Sequence, residues 1–220
     1  MTVKRVILVR PGETDWNMRG RWQGWVAVPL NEHGRKQAQH LARFLRNAGI
    51  KVLYSSDLRR ARETAAILAE KLGFAPEFDE RLRERHIGTW QGLTPDEMRA
   101  WYPDEYRQLV EDRAGYIVPN GESRNQVKQR MISAFNDYLR RDEGETIAIL
   151  SHSSAIRTLL SQWVDEAKLV STDVDNTSVT TIVRDENDDT LWHIVAMNDV
   201  THLEELESRS IGEFDDPRHR

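Results

Sequence analysis

The sequence predicts an α/β fold: a three-layer sandwich with a mostly parallel central sheet, helices on both faces and a small helical cap over the site. Three observations carry this expectation. The runs Val6-Ile7-Leu8-Val9, Val52-Leu53-Tyr54 and Thr146-Ile147-Ala148-Ile149-Leu150 are apolar without alternation, the pattern of strands buried on both faces. Segments with helical spacing separate the runs, giving the strand–helix alternation of a sheet with right-handed crossovers. Polar loops open directly at the ends of the runs, where reactive groups gather in such sheets. Arg10 and Ser55 stand at two of these ends.

A polar loop runs from Pro11 to about Leu30. Asn31 then caps a helix that starts near Glu32, carries Ala38, Leu41, Ala42 and Leu45 on one face, and stops at Gly49. Ser55-Ser56-Asp57 reads as a helix-start cluster ahead of Leu58, Ala61, Ala65, Leu68 and Leu72, with Gly73 ending that helix. The stretch 77–120 is less regular. Within it, Thr94-Pro95-Asp96-Glu97 resembles a helix start, with proline in the first turn and acids complementing the dipole. Pro103 interrupts the pattern, so two short helices are expected here, capping the site. A long helix over about 122–141 has Val127, Met131, Ala134 and Leu139 inward. After the third strand, Ser151-His152-Ser153-Ser154 leads into a helix with Ile156, Leu159, Leu160 and Trp163. Strands are expected over 178–183 and 191–195, joined by a turn-rich acidic stretch. The expected organisation is one domain over 1–203, with the cap at about 90–119, and a loose charged tail over 204–220.

The chain of 220 residues suits a single core, since cores grow to ~250–300 residues before dividing. Its net charge of −5, with 31 basic residues scattered among 36 acids, argues against a general nucleic-acid binder. No apolar run approaches the ~18 residues of a membrane span. The first residues pass straight into strand-like sequence without a signal-peptide layout, so a cytoplasmic location is the default expectation. The absence of cysteine excludes disulfides and thiolate-bound metals. The histidines lack ligand spacing, so neither a metal nor a cofactor is expected.

The chemistry-bearing residues fall into segments. Arg10-Pro11-Gly12-Glu13-Thr14-Asp15-Trp16-Asn17 comes after the first strand, and Arg21, Gln23 and Gly24 lie in the same loop. Ser56-Asp57-Leu58-Arg59-Arg60-Ala61, with Thr64, comes after the second strand. Leu82-Arg83-Glu84 precedes Gly88, Trp90 and Gly92, and Pro119, Gly121, Glu122 and Ser123 come next. Ser151-His152 comes after the third strand, and Asn198 and His202-Leu203 lie near the C-terminus. Together these segments resemble the motifs of the histidine phosphatase superfamily, the phosphoglycerate mutase-like proteins, from about residue 3 to about residue 203. The family's opening signature reads Arg-His-Gly-Glu-Thr, any residue, Trp-Asn. Every element is matched except the nucleophilic histidine, where this chain has Pro11.

The resemblance implies a phosphomonoester ligand. Arg10 and Arg60 would bind its oxygens in forked, charge-assisted hydrogen bonds, and Asn17 and Gln23 would add neutral donors. Gly24, His152 and Ser153 complete the expected phosphate-binding set, with His152 adding a third positive charge when protonated. In the family a histidine attacks phosphorus and a glutamic acid protonates the leaving oxygen; Glu84 and His152 match the remaining catalytic positions. Pro11 cannot replace the nucleophile, because a proline nitrogen within a chain is a tertiary amide without a usable lone pair. Thr14 is the nearest hydroxyl, and nothing in the sequence activates it. The expectation is therefore a catalytically impaired phosphomonoesterase that binds a phosphorylated small molecule. The alternative is an active phosphatase, or a phosphoglycerate mutase, with Pro11 an introduced change or bypassed by another nucleophile. The compact segment from Glu84 to Gly121 leaves no room for the insertion of the longer mutases, which favours the phosphatase branch, although Glu84-Arg85-His86 echoes the mutase wording. The stretch from Trp90 to Pro119 is expected to set the ligand, with Trp16 and Trp90 as pocket walls. A homodimer is a general expectation for such folds.

Overall fold

A computed structural model of the chain describes residues 2–141, 144–164, 173–188 and 190–207. Six strands form one sheet: β1 (Arg5–Val9), β2 (Val52–Ser55), β3 (Glu77–Phe78), β4 (Thr146–Leu150), β5 (Val179–Arg184) and β6 (Trp192–Asp199). Their order across the sheet is β3-β2-β4-β1-β5-β6. The first four strands are mutually parallel, and β5 pairs antiparallel with both β1 and β6. Of the tail expected over 204–220, Glu204–Glu207 forms a helical turn and the remainder lies outside the described residues.

The unbroken apolar runs are explained by cover on both faces. Val6 and Leu8 of β1 pack with Val127, Met131 and Phe135 of α6 (Arg124–Arg140) and with Ile156 and Leu159 of α7 (Ser153–Leu160). Ile7 and Val9 face the opposite way, toward Leu41 and Leu45 of α2 (Glu32–Leu45) and Ala61, Ala65 and Leu68 of α3 (Arg59–Leu72). Successive side chains of a strand alternate between faces, so a strand between two helical layers has no polar face to show. Leu150 pairs with Val9 on one side and Ser55 on the other. The three strand ends therefore lie abreast, and Arg10, Ser56 and Ser151-His152 emerge together at one edge of the sheet.

Local chemistry accounts for most helix boundaries. Asn31 caps α2, accepting a hydrogen bond from the Gly34 N–H at 2.7 Å. Gly73 ends α3 in the left-handed conformation at φ 83°. Thr94 with Glu97 and Ser123 with Gln126 form reciprocal capping boxes at α4 (Pro95–Trp101) and α6. Pro103 opens α5 (Pro103–Glu111), so two short helices stand where the sequence predicts them. Trp90, Met98, Leu109 and Val118 form their small separate core, with Tyr102, Tyr106 and Tyr116 against it.

One expectation is corrected. Ser55-Ser56-Asp57 does not cap α3: Leu58 is its cap residue and offers no side-chain hydrogen bond. Asp57 instead takes a two-pronged hydrogen bond from Arg83 at 2.6 and 2.7 Å, and Ser56 turns toward His152. On α6, Val127, Met131 and Ala134 lie in the core with Leu139 partly buried against it, as expected; Phe135 and Tyr138 are buried beside them, and Tyr138 stacks on Tyr54 with centroids 3.7 Å apart. The two-residue strand β3 gives no apolar signal, because both of its residues are exposed.

Candidate functional site

A cleft of ≈ 360 Å³ opens at the shared edge of the strand ends. Every site residue expected from the sequence lines it: Arg10, Pro11, Asn17, Gln23, Gly24, Arg60, Glu84, His152 and Ser153. Trp16 does not line it, and Trp90 is fully buried in the small aromatic core. Trp22 and Ile87 form apolar wall instead. Of the stretch 90–119 only Ala114 reaches the cleft, so α4 and α5 abut the loop beside it rather than walling it. Glu97 of α4 and the preceding Leu93 join this stretch to that loop, through Arg21 with Glu97 at 2.8 Å and the Trp22 N–H to the Leu93 carbonyl at 2.9 Å.

The loop after β1 is held tightly on all sides. A Cβ on Gly12 would lie 2.4 Å from the Gly34 carbonyl oxygen, and one on Gly34 would lie 2.1 Å from that of Glu13. The loop and the first turn of α2 therefore touch backbone to backbone, a contact only glycine allows. The Pro11 carbonyl accepts hydrogen bonds from the Thr177 N–H at 3.2 Å and Asn176 Nδ2 at 3.1 Å. Thr177 holds φ 58°, a strained value for a β-branched residue and one typical of functional sites. His202 Nε2 lies 3.2 Å from the Thr177 hydroxyl. Asn198 binds Asp175 through hydrogen bonds of 2.7 and 2.9 Å, and the Asp175 charge helps hold Arg10 protonated. The C-terminal segments singled out in the sequence thus pin the opening loop and its arginine.

Two arginines form the floor. Arg10 donates to the Val174 carbonyl; burial lowers its pKa, and the charges of Glu84 and Asp175 oppose that shift. Arg60, 4% exposed, donates to the Gly24 carbonyl at 2.9 Å and the Val26 carbonyl at 3.3 Å. Burial pushes Arg60 down to about 10, which leaves it charged at neutral pH. Asn17 Oδ1 is engaged in the capping box of the short helix α1 (Asp15–Met18), so its amide NH2 is the group that remains to face the cleft. The side-chain Oε1 of Gln23 is buried with no hydrogen-bond partner among the described residues, a polar group with unused capacity in the cleft wall.

His152 is 3% exposed, and its Nε2 lies 2.8 Å from Ser56 Oγ. Burial, then the charges of Arg60 and Arg10, hold its pKa well below the ordinary value of 6.5. Both causes favour the neutral imidazole, so the condition for a third positive charge is disfavoured in this geometry. Glu84 sits at the N-terminus of α7. Its Oε1 accepts from the N–H groups of Arg85 at 2.8 Å and Ala155 at 3.2 Å, and its Oε2 from the Ser154 N–H at 3.1 Å and Ser153 Oγ at 3.4 Å. Its own carbonyl is fixed by Trp25 Nε1 at 2.6 Å and Arg130 Nη2 at 2.9 Å.

Sequence reasoning missed part of the lining. Arg85, Arg124, Lys128 and Arg157 face the same cleft, alongside Asn176 and Thr158. Arg124 and Lys128 stand four apart on α6, a helical spacing that could have flagged them. No sequence signal connects them to Arg85. Among the described residues no group of three His, Asp or Glu side chains is placed to hold a metal ion, and no helix is long and apolar enough to cross a membrane.

A cleft lined by Arg10 and the buried Arg60, at the carboxyl edge of a mostly parallel sheet covered on both faces, places the chain among α/β proteins with a site at the strand ends. The chain belongs to the histidine phosphatase superfamily, branch 1, whose model matches residues 6–200. It is 37% identical over 203 residues to phosphoglycerate mutase-like protein 4 of Arabidopsis thaliana, covering 91% of this chain and 87% of that one. It is 35% identical over 209 residues to a metal-independent phosphoserine phosphatase of the same plant, covering 91% and 84%. Among solved structures, a phosphoserine phosphatase from Entamoeba histolytica superposes with TM-score 0.77 at 26% identity, over 90% of this chain and 98% of that one. That structure is of a histidine-to-alanine mutant in complex with phosphoserine. These relatives support a phosphatase-type function for the chain.

Proposed function

We propose that the cleft binds the phosphate group of a phosphorylated small molecule on Arg10 and Arg60. Pro11, standing where the family carries its nucleophilic histidine, makes the chain a catalytically impaired phosphatase. The observation that carries this reading is the wall of the cleft itself. All the expected phosphate-binding side chains converge there, and the residue after Arg10 presents a pyrrolidine ring. Arg10 and Arg60 supply two positive charges for a phosphate dianion, and arginine is the side chain whose fork of donors matches phosphate oxygens. Asn17, Gln23 and the neutral His152 add polar contacts.

Among the described residues, no hydroxyl lining the cleft is held close to an activating base: Thr158 donates to the Ser154 carbonyl at 2.7 Å and Ser161 to the Thr158 carbonyl at 2.8 Å. Thr14 is fully buried and committed to the α1 capping box. Ser56 touches His152 but is fully buried, behind the cleft wall. Ser153 reaches the cleft, yet its 3.4 Å approach to Glu84 is longer than the ~2.6–3.2 Å of an activated nucleophile and its base. The Entamoeba phosphatase, which holds phosphoserine with a histidine replaced by alanine, supports ligand binding without a complete histidine set. The test is calorimetric titration with inorganic phosphate beside phosphate release from p-nitrophenyl phosphate between about pH 5 and about pH 8. Saturable phosphate binding, weakened about tenfold or more in Arg60→Lys, without release above background is the expected result. Absence of binding, or sustained turnover, overturns the reading.

A further inference from the structure

We propose that Arg130 and Glu122 are the positioning pair of the cleft: they fix the backbone of residues 81–86 and so set where the Glu84 carboxylate stands relative to Arg10 and Arg60. This rests on the phosphate reading above and deepens it. Glu84 is the one carboxylate among the described lining residues, and the pair keeps it from competing with the ligand. Neither Arg130 nor Glu122 lines the cleft, so each acts on the site through Glu84.

Residues 84–87 belong to no helix or strand, so no regular ladder serves their backbone groups. Arg130, reaching in from α6, takes that place. Its Nη1 donates to the carbonyls of Arg81 at 2.7 Å and Arg83 at 2.6 Å, and its Nη2 to that of Glu84 at 2.9 Å. Its Nε and Nη2 hold the Glu122 carboxylate at 2.9 and 3.1 Å. Every N–H of the guanidinium is thereby engaged. Glu122 holds the next two residues. Its Oε2 accepts from the His86 N–H at 2.8 Å, its own N–H donates to the His86 carbonyl at 2.8 Å, and its carbonyl accepts from Arg85 Nε at 2.8 Å. The motif residue Glu122, for which phosphate binding itself has no use, thus gains a role.

A buried ion pair is weak evidence for stability, because apolar side chains of similar volume often serve as well. An apolar pair could not hold three carbonyls of one irregular segment. With its backbone fixed, Glu84 reaches the Ser154 and Ala155 N–H groups at the start of α7. Its charge already acts on both Arg10 and Arg60. Once the backbone loosens, the carboxylate is free to swing onto those arginines and occupy the donors that a phosphate needs.

The test is a double-mutant cycle read by calorimetry with inorganic phosphate. Arg130→Lys keeps the charge and loses the fork of donors. Glu122→Gln keeps the shape and loses the charge, and serves where Arg130→Lys unfolds the chain. Each is made in the native chain and in Glu84→Gln. In the native chain each is expected to raise the Kd about threefold or more, and in Glu84→Gln by less than about twofold, while the urea midpoint falls in both. A merely structural role weakens binding by the same factor in both backgrounds. That result overturns the inference, as does an unchanged Kd in the single variants. Failure of the unmodified chain to bind inorganic phosphate overturns the phosphate reading and this inference with it.

Discussion

Replacing Glu84 with glutamine is expected to lower stability and raise phosphate affinity together. In the native fold four donors converge on the two carboxylate oxygens, three of them N–H groups at 2.8–3.2 Å. Glutamine keeps one acceptor oxygen. Its NH2 would face either the Arg85 and Ala155 N–H groups or the Ser154 N–H and Ser153 hydroxyl. The loss combines hydrogen bonds to a charged acceptor, ~1.5–3 kcal/mol, with the helix-dipole contribution of an anion at a helix N-terminus, ~0.3–1 kcal/mol. Partial exposure and the long Ser153 contact reduce the sum, so about 1–3 kcal/mol is expected. For a chain of this size that corresponds to a Tm drop of roughly 2–12 °C. The same change removes the one carboxylate charge that faces both Arg10 and Arg60, which favours a phosphate dianion. Urea unfolding should show a lower midpoint with an unchanged m value, while calorimetry shows a lower Kd for inorganic phosphate. General damage to the fold would weaken both properties. An unchanged midpoint, or stability and affinity falling together, refutes the reasoning.

Two further outcomes are expected from other parts of the site. Gly34→Ala should lower Tm and weaken phosphate binding, although alanine is the better helix former by ~1 kcal/mol, because the new Cβ would meet the Glu13 carbonyl oxygen at 2.1 Å; an unchanged or raised Tm contradicts the close contact. His152 is held well below 6.5, and burial brings His202 to about 4, so the folded chain keeps both rings neutral where the unfolded chain takes up protons. Stability should therefore fall as pH drops below about 6.5, with the His202 share levelling off below about 4, and a urea midpoint that stays flat from about pH 7 to about pH 5 would rule this out.

The parts of the fold that were legible in the sequence are those decided locally. β1, β2 and β4 announce themselves as apolar runs, and Asn31, Thr94 and Ser123 carry their own capping chemistry. The parts that were not legible depend on partners distant in sequence. Glu77 and Phe78 form a strand only through pairing with β2. Ser56 and Asp57 look like cap residues, yet each is taken by a distant group, His152 and Arg83. The site residues were found through the family resemblance rather than from spacing, and the resemblance named the floor of the cleft. The outer cations come from α6 and from the segment after Glu84, and only the packing of α6 against that segment brings them together. The positive φ of Thr177 has no sequence signal, since a β-branched residue is the least suited to that conformation.

The most direct test of the account is phosphate release by the Pro11→His variant beside the unmodified chain. The substitution leaves the carbonyl that Thr177 and Asn176 hold and adds an imidazole to a wall already lined by Arg10, Arg60, Glu84 and His152. Loss of a nucleophile commonly costs several orders of magnitude, so the variant should exceed the unmodified chain in turnover of p-nitrophenyl phosphate by about a thousandfold or more. A variant that binds inorganic phosphate but gains no turnover, or an unmodified chain that already hydrolyses the ester as fast, contradicts a phosphatase site lacking only its nucleophile.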